Sequence, residues 1–169
     1  AAVPHVYAET EADAARVLGF VTARDRFFEM DMARRLSQGR IAELLGQDAF
    51  AVDVESRGTG MARVAAAILA RFTDDQRARY QAYVDGVNAY IAAVRARRAF
   101  APREYTFAAP VFGVRPADLM ADFTLADVAA LSATTTYELG FETTDLGRQR
   151  GLEQVPGRFD GEPLGPLRQ

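Results

Sequence analysis

The chain of 169 residues contains no cysteine, no tryptophan and no lysine, and it has a single histidine. Without cysteine there is no disulfide framework, no thiol nucleophile and no cysteine metal site. Every side chain of fixed positive charge is an arginine, and these are scattered among acids that bring the net charge to −3. No basic stripe follows a phosphate backbone, so we expect no nucleic-acid partner.

Long apolar runs are missing as well. No stretch approaches the roughly 20 residues that a membrane-spanning helix needs, so we expect no membrane span. The chain also starts without the basic and apolar regions of a signal peptide, as both a secreted protein that has lost its signal and a cytoplasmic protein would. Its hydrophobic content of 49% is enough for a packed core, in one domain or in part of a larger one.

A long helix is predicted from about Glu11 to Ser37. Thr10 is a plausible N-cap with Asp13 three residues later, and apolar residues recur at helical spacing after it. Gly19 lies inside this helix, where it predicts a close approach by another element. The apolar stripe that we expect to be buried consists of Val17, Val21, Phe28, Met32 and Leu36.

The charged residues of this helix separate into two groups. Asp25 lies close to the apolar stripe, where an ionised carboxylate needs a partner, so we predict a buried structural ion pair with Arg26 or another cation. Asp31, Arg34 and Arg35 have the spacing of surface pairs on a helix. We therefore expect Asp25 to be the buried acid and Asp31 to be exposed.

Three further helices are predicted. One is a short Ala-rich helix over Met61–Phe72, and the next begins with the capping box Thr73–Gln76 and runs to about Arg97. A third opens at Thr124–Asp127 and should bend, loosen or end at the triplet Thr134–Thr136. The buried face of the second is expected to comprise Tyr80, Tyr83, Val84, Val87, Ile91 and Val94.

The remaining segments are predicted to be irregular or extended. Gln47–Gly60 and Phe100–Arg115 are expected to be connectors, the second because of its prolines and glycine. Val3–Ala8 is expected to be a short strand, which can add to a sheet but cannot form one alone. The Pro/Gly-rich segment 151–169 is interpreted as a linker that ends near a cut.

The residues that could perform chemistry are few. His5 follows a proline and has no partner that the sequence identifies, while the serines lack a nucleophile-elbow pattern. Asp145, with Glu142 nearby, could bind a hard cation or could lie in a solvated acidic loop. The chain by itself therefore supports no complete active site. The serines considered are Ser37, Ser56 and Ser132.

Several ordered blocks of the sequence resemble the α chain of the penicillin G acylase family, a group of serine N-terminal-nucleophile hydrolases. The blocks are Val3–His5, Asp25–Arg26, Gln38–Gly46, Tyr83–Tyr90 and Asp127–Ala129. The resemblance implies a chain that is mostly α in isolation and forms part of an αββα heterodimer with a larger β chain. It also implies a helical α-chain domain over 1–150 with a short N-terminal strand, and a tail over 151–169 near an excised spacer.

The function that the resemblance implies is hydrolysis of linear amide bonds through an acyl-enzyme on the N-terminal serine of the β chain. The serine's own α-amine, with a pKa near neutrality, is the general base, so this chain contributes no catalytic residue. Its implied contributions are an acyl pocket from Tyr137, Leu139 and Phe141 and a calcium ligand from Asp145. The enzyme is expected to be periplasmic or secreted.

The sequence departs from the family at positions that bear on specificity. The pocket arginine has no clear counterpart, with Glu138 or Gly140 in its region, and Phe123 replaces a tryptophan. Aryl-acetyl β-lactams, acyl-homoserine lactones and lipopeptide acyl chains all stay open as substrates. Two alternatives also stay open, namely a free-standing helical binding module and a relative whose β chain has lost its nucleophile.

Overall fold

A computed structural model describes residues 3–140, which belong to two compact units that divide between Thr135 and Thr136. Within this range the chain is helical, which confirms the predicted fold class, and no helix is long and apolar enough to cross a membrane. The α-helices are α1 (Glu11–Gln38), α2 (Ala42–Leu45), α3 (Phe50–Thr59), α4 (Met61–Ala70), α5 (Asp74–Arg95), α6 (Arg103–Phe112) and α7 (Leu125–Gly140), with 3-10 turns at Gln47–Ala49 and Pro116–Leu119.

The N-terminal segment 3–8 forms neither helix nor strand. A strand is defined by hydrogen bonds to a neighbouring strand, and residues 3–140 contain none that could pair with it. The short strand therefore stays a prediction that needs a second chain.

The close packing of α1 on α5 depends on two glycines. A Cβ on Gly19 would collide with the carbonyl oxygen of Tyr83, and a Cβ on Gly86 would collide with that of Arg16. Because both obstacles are backbone atoms, neither can move without displacing its helix. The prediction of close packing at Gly19 is thus confirmed, and Gly86 is its counterpart on the facing helix.

An aromatic cluster fills the core between these helices. The ring of Phe27 lies 6.0, 6.2 and 5.8 Å from the rings of Tyr90, Tyr105 and Phe123, measured between centroids. Tilted and edge-on arrangements at such distances are favourable beyond the area that they bury. These four side chains are fully or almost fully buried, so α1, α5, α6 and the segment before α7 share one core.

The α5 helix agrees closely with its prediction. The capping box between Thr73 and Gln76 is present, and Val84, Val87, Ile91 and Val94 are buried, although Tyr80 is exposed. Two hydrogen bonds explain why an asparagine lies in this helix. The side-chain amide of Asn88 donates to the Phe123 carbonyl at 2.9 Å and accepts from the Phe123 N–H at 2.8 Å. This side chain fixes the segment that leads into α7.

Two predicted connectors are wrong, because both contain helices. In α3 the carboxylate of Asp53 accepts hydrogen bonds from the backbone N–H groups of Ile41 and Ala42 at 2.7 and 3.0 Å. In α6, Tyr105 and Ala109 lie one turn apart and are both buried. Tertiary anchors of this kind outweigh weak local propensity.

The α7 helix also corrects a prediction. Of the outcomes predicted at Thr134–Thr136, an end of the helix is wrong, because α7 continues through the triplet to Gly140, the last residue that the structure describes. Threonine disfavours a helix by only a few tenths of a kcal/mol per residue, and the Ala-rich turns before the triplet favour it. Ala129 and Ala130 pack on Ala65 of α4, which adds tertiary support to the same helix.

Candidate functional site

The residues that sequence reasoning assigned to an acyl pocket lie at the end of the described chain. Tyr137 and Leu139 occupy the last turns of α7 and are 38% and 84% exposed. Side chains two positions apart on a helix point about 200° away from each other, so α7 does not bring these two to one face. Phe141 and the predicted calcium ligand Asp145 lie outside the described residues.

The described serines and histidine do not form a catalytic pair. Ser37 is buried and its hydroxyl donates to the Arg34 carbonyl at 2.8 Å, which removes it as a nucleophile. His5 is exposed before α1 and has no hydrogen bond or ion pair with another described residue. Residues 3–140 also contain no group of three or more histidine or acidic side chains that could hold a metal ion.

The most concentrated polar chemistry of the described chain is a buried network around Asp31. This carboxylate is completely buried on α1 and accepts hydrogen bonds from Arg34, from Arg35 at 2.9 Å and from the hydroxyl of Tyr105. Two guanidinium groups and one phenol therefore surround one negative charge. The arrangement ties α6 to α1, since Tyr105 belongs to α6.

Arg34 extends this network to the beginning of α7. Its guanidinium donates to the carbonyls of Ala121 and Asp122 at 3.3 and 2.9 Å and lies 3.9 Å from the carboxylate of Asp127. Its Cζ atom is also 4.2 Å from the centre of the Phe123 ring, a cation–π distance. These contacts offset the cost of burying the cation.

Asp127 caps the helix that carries the predicted pocket residues. Its carboxylate accepts from the Thr124 N–H at 2.6 Å and from the Thr124 hydroxyl at 2.8 Å, and it also accepts from Gln38 of α1. The capping predicted at Thr124 is therefore present. Arg34 therefore connects two acids. One is Asp31, which is hydrogen-bonded to α6, and the other is Asp127 at the start of α7.

The pKa shifts in this network indicate a structural role for its side chains rather than a catalytic one. Burial raises the pKa of the Tyr105 hydroxyl far above its ordinary value, and the hydrogen bond to Asp31 raises it further. Burial opposes the charge of Arg35, but the hydrogen bond and charge of Asp31 outweigh it and raise the pKa of Arg35. Both groups stay protonated donors at neutral pH, so neither is suited to proton transfer there.

The prediction that Asp25 is the buried acid is wrong. Its carboxylate is about half exposed and pairs with Arg24 at 2.8 Å, and this contact lowers its pKa. The prediction that Asp31 is exposed is also wrong, because its side chain is completely buried. No local signal distinguishes Asp31, because its spacing to Arg34 and Arg35 is the same in a buried network as in a surface pair.

A groove of about 730 Å³ lies between α1, the first turns of α5 and α7. At its rim, Arg79 is paired with Glu11 and with Asp75 at 2.9 Å. Its other walls are largely apolar, so it is suited to contact with an apolar group rather than to catalysis. The apolar side chains along it are Ala15, Met30, Tyr80, Tyr83, Phe123, Val128 and Leu131.

Known proteins are similar to this chain along most of its length. The sequence profile of the family described as Penicillin amidase matches residues 1–164. A penicillin acylase 2 proenzyme from Pseudomonas sp. (strain SE83) is 43% identical over 90 residues, which make up 53% of this chain and 12% of that protein. Penicillin G acylase of Escherichia coli is 37% identical over 89 residues, 53% of this chain and 10% of that protein.

Two further similarities extend this set. An acyl-homoserine lactone acylase from Pseudomonas syringae pv. tomato is 35% identical over 89 residues, 53% of this chain and 11% of that protein. The solved structure of a thermostable penicillin G acylase from Alcaligenes faecalis superposes with a TM-score of 0.68 at 31% identity, covering 92% of this chain and 80% of that chain. The chain spans about a tenth of the length of the curated relatives that it matches.

Proposed function

This chain belongs to the penicillin amidase family, and from that premise we propose that it is the smaller chain of a two-chain amide hydrolase. In the proposed complex the larger chain supplies the nucleophile, an N-terminal serine. This chain supplies part of the acyl pocket and one ligand to a structural calcium ion. The complex acts on an acyl amide of small-molecule size and is located in the periplasm or outside the cell.

One observation carries the proposal most strongly. The match covers 80% of the solved Alcaligenes chain, whereas it covers only 10–12% of the first curated relatives. The solved chain is therefore close in length to this one, while those curated sequences are many times longer. This difference is what cleavage of a long precursor into a small and a large chain produces, and one relative is itself named a proenzyme.

The proposed mechanism needs no histidine or acid from this chain as a general base. An N-terminal serine can use its own α-amine as general base, so no histidine or acid from the smaller chain is required. Attack on the amide carbonyl releases the amine and leaves an acyl-enzyme, from which water releases the acid. The described residues supply none of these groups, and their buried network holds the helices that the pocket is attached to.

The acyl pocket is proposed to include Tyr137, Leu139 and Phe141. Leu139 is 84% exposed in the single chain, so a second chain or a substrate can contact it. The relatives are named for acylases of penicillin and of acyl-homoserine lactone, two substrates that share an acyl group on an amide nitrogen. An acyl amide is therefore the substrate class that we propose.

Replacing Phe141 with alanine is expected to change the preference among acyl groups by about 10- to 200-fold in the ratio of kcat/KM values. One apolar contact to the acyl group contributes on the order of 1–3 kcal/mol to such discrimination. The measurement uses amides that share one chromogenic amine and vary from phenylacetyl to long-chain fatty acyl. Phe50→Ala is the matched control, because Phe50 is an exposed phenylalanine on α3. A uniform decrease for all amides would remove Phe141 from the pocket.

Asp145 is proposed to bind calcium together with oxygen atoms of the larger chain. A carboxylate suits the oxygen preference of Ca²⁺. Asp145→Asn is expected to lower the Tm of the complex and to abolish the further decrease that a chelator causes in the parent protein. The exposed Asp48→Asn is the control. Melting that ignores the chelator in both proteins would contradict the site.

A further inference from the structure

The outward side of α6 is unusually apolar for an exposed surface. Phe107 and Val111 are 75% and 83% exposed and lie four residues apart, on one face of the helix. The opposite face carries Tyr105 and Ala109, which are buried in the core. A helix with apolar residues on both faces is typically buried on both faces by other parts of a protein.

Phe100 extends this apolar surface on the chain that leads into α6. Its side chain is 96% exposed, although its carbonyl accepts a hydrogen bond of 2.8 Å from the hydroxyl of the buried Tyr90. The backbone at Phe100 is thus attached to the core while its ring faces solvent. We refer to Phe100, Phe107 and Val111 together as the α6 surface.

A positively charged cleft lies beside the α6 surface. Residues 94–115 contain five arginines and one acid, although the chain as a whole has a net charge of −3. Several of these arginines surround a cleft of about 490 Å³ that also includes Phe100. The arginines along the cleft, which we call the arginine cleft, are Arg95, Arg97, Arg98 and Arg115.

Two of these four arginines are paired with acids, and the other two are paired with no acid among residues 3–140. Arg95 pairs with Asp122 at 2.7 Å, and Arg115 pairs with Asp118 at 2.6 Å. Arg97 and Arg98 form no ion pair with any residue that the structure describes. The cleft therefore has room and net positive charge for one or two carboxylates from another molecule.

The backbone at Arg97 gives independent support. Arg97 has a φ of 58° and is the one non-glycine residue with positive φ among residues 3–140. Its N–H donates to the Val94 carbonyl at 2.9 Å, and the N–H of Arg98 donates to the Ala93 carbonyl at 2.8 Å, a helix ending that strongly favours glycine at this position. An arginine at this position is less stable than a glycine, because its Cβ disfavours the positive φ. Its presence therefore points to a use for the side chain.

We propose that the α6 surface and the arginine cleft form one contact surface for the larger chain of the complex. A segment of that chain covers Phe107 and Val111 with apolar side chains and places carboxylates next to Arg97 and Arg98. The inference rests on the proposed function. Its occupant has a source, since the curated relatives continue far beyond the part that this chain matches.

Hydroxyl-radical footprinting of the purified complex tests the coverage of this surface. Phe100 and Phe107 are expected to be modified at least tenfold more slowly than their exposure in the single chain implies. Modification at the full exposed rate in a complex that contains a larger chain overturns the inference. Protection that arises only after vesicles of anionic phospholipid are added also overturns it and assigns the surface to a membrane. Absence of any larger chain is a different result, because it overturns the proposed function as well.

Variants at Arg97 and Arg98 test the charge. Arg97→Glu with Arg98→Glu is expected to weaken association with the larger chain at least tenfold, measured by analytical ultracentrifugation. Replacing both with lysine keeps the charge and is expected to retain most of the affinity. Arg97→Gly is the sharpest variant, because it relieves the positive φ and is nevertheless expected to weaken association with the larger chain. Unchanged association in both the glutamate and glycine variants overturns the role of the cleft.

Discussion

Replacement of Asp31 with asparagine is expected to destabilise the protein by about 3–5 kcal/mol. Asparagine keeps the volume of the side chain but removes the charge that Arg34, Arg35 and the Tyr105 hydroxyl all contact. Breaking a buried pair in this way leaves uncompensated charge in the core, and losses of this size follow. The measurement is the free energy of unfolding in urea, followed by circular dichroism.

Asp25→Asn is the matched control for Asp31. It makes the same chemical change on the same helix, but Asp25 is about half exposed and pairs with Arg24 at the surface. Water can replace that contact, so unfolding of the Asp25 variant should be indistinguishable from that of the parent. Equal losses in the two variants would contradict the assignment of Asp31 as the buried acid that organises the network.

Replacement of Gly86 with alanine is expected to lower the free energy of unfolding by about 3 kcal/mol. The added methyl group would meet the carbonyl oxygen of Arg16, so α1 and α5 must separate along the contact that defines the core. Overpacking typically costs about 1–3 kcal/mol, and a backbone obstacle places this site at the upper end. Thermal unfolding would show the loss as a lower Tm.

Gly58→Ala is the matched control for Gly86→Ala, because it adds the same methyl group where no packing obstacle exists. Gly58 lies within α3, and a Cβ at that position meets nothing within 4 Å. Alanine is favoured over glycine in helices by up to about 1 kcal/mol, so this variant should be neutral or slightly stabilised. If both alanine variants were stabilised, the effect would be one of helix propensity and not of packing between α1 and α5.

The sequence predicts elements well where the signal is local. The N-cap at Thr10, the capping box at Thr73 and the capped helix after Thr124 are all present, because caps depend on residues three positions apart. The helical α1 and α5 follow from long periodic patterns. The close approach at Gly19 was also predictable, since a glycine within a long helix needs a packing reason.

The face of α1 that is buried was not predictable in the same way. The helix carries two apolar stripes, and the stripe that includes Val17 and Phe28 is largely half-buried or exposed, while the stripe through Phe27 and Asp31 is buried. Arg26 has non-helical angles, φ −142° and ψ 28°, and this kink changes the orientation of the two halves. The spacing of an acid with arginines at three and four residues is the same in a buried network as in a surface pair.

The candidate site depends even less on local signal. Tyr137, Leu139, Phe141 and Asp145 were identified through resemblance to a family, because no pattern of spacing marks an acyl pocket that a second chain completes. The arginine cleft was also missed, since it forms only when the end of α5 meets the turn at Pro116–Leu119. Groups brought together by tertiary contact, and by contact with another chain, are beyond what spacing along one chain can indicate.

The most direct test of the account is the composition of the protein purified under native conditions from its source organism. We expect this chain to copurify with a much larger chain whose N-terminal residue, determined by sequencing, is serine. A larger chain that begins with another residue would indicate a relative without its nucleophile. A monodisperse, cooperatively folded monomer of this chain alone would contradict the account and favour a free-standing helical binding module.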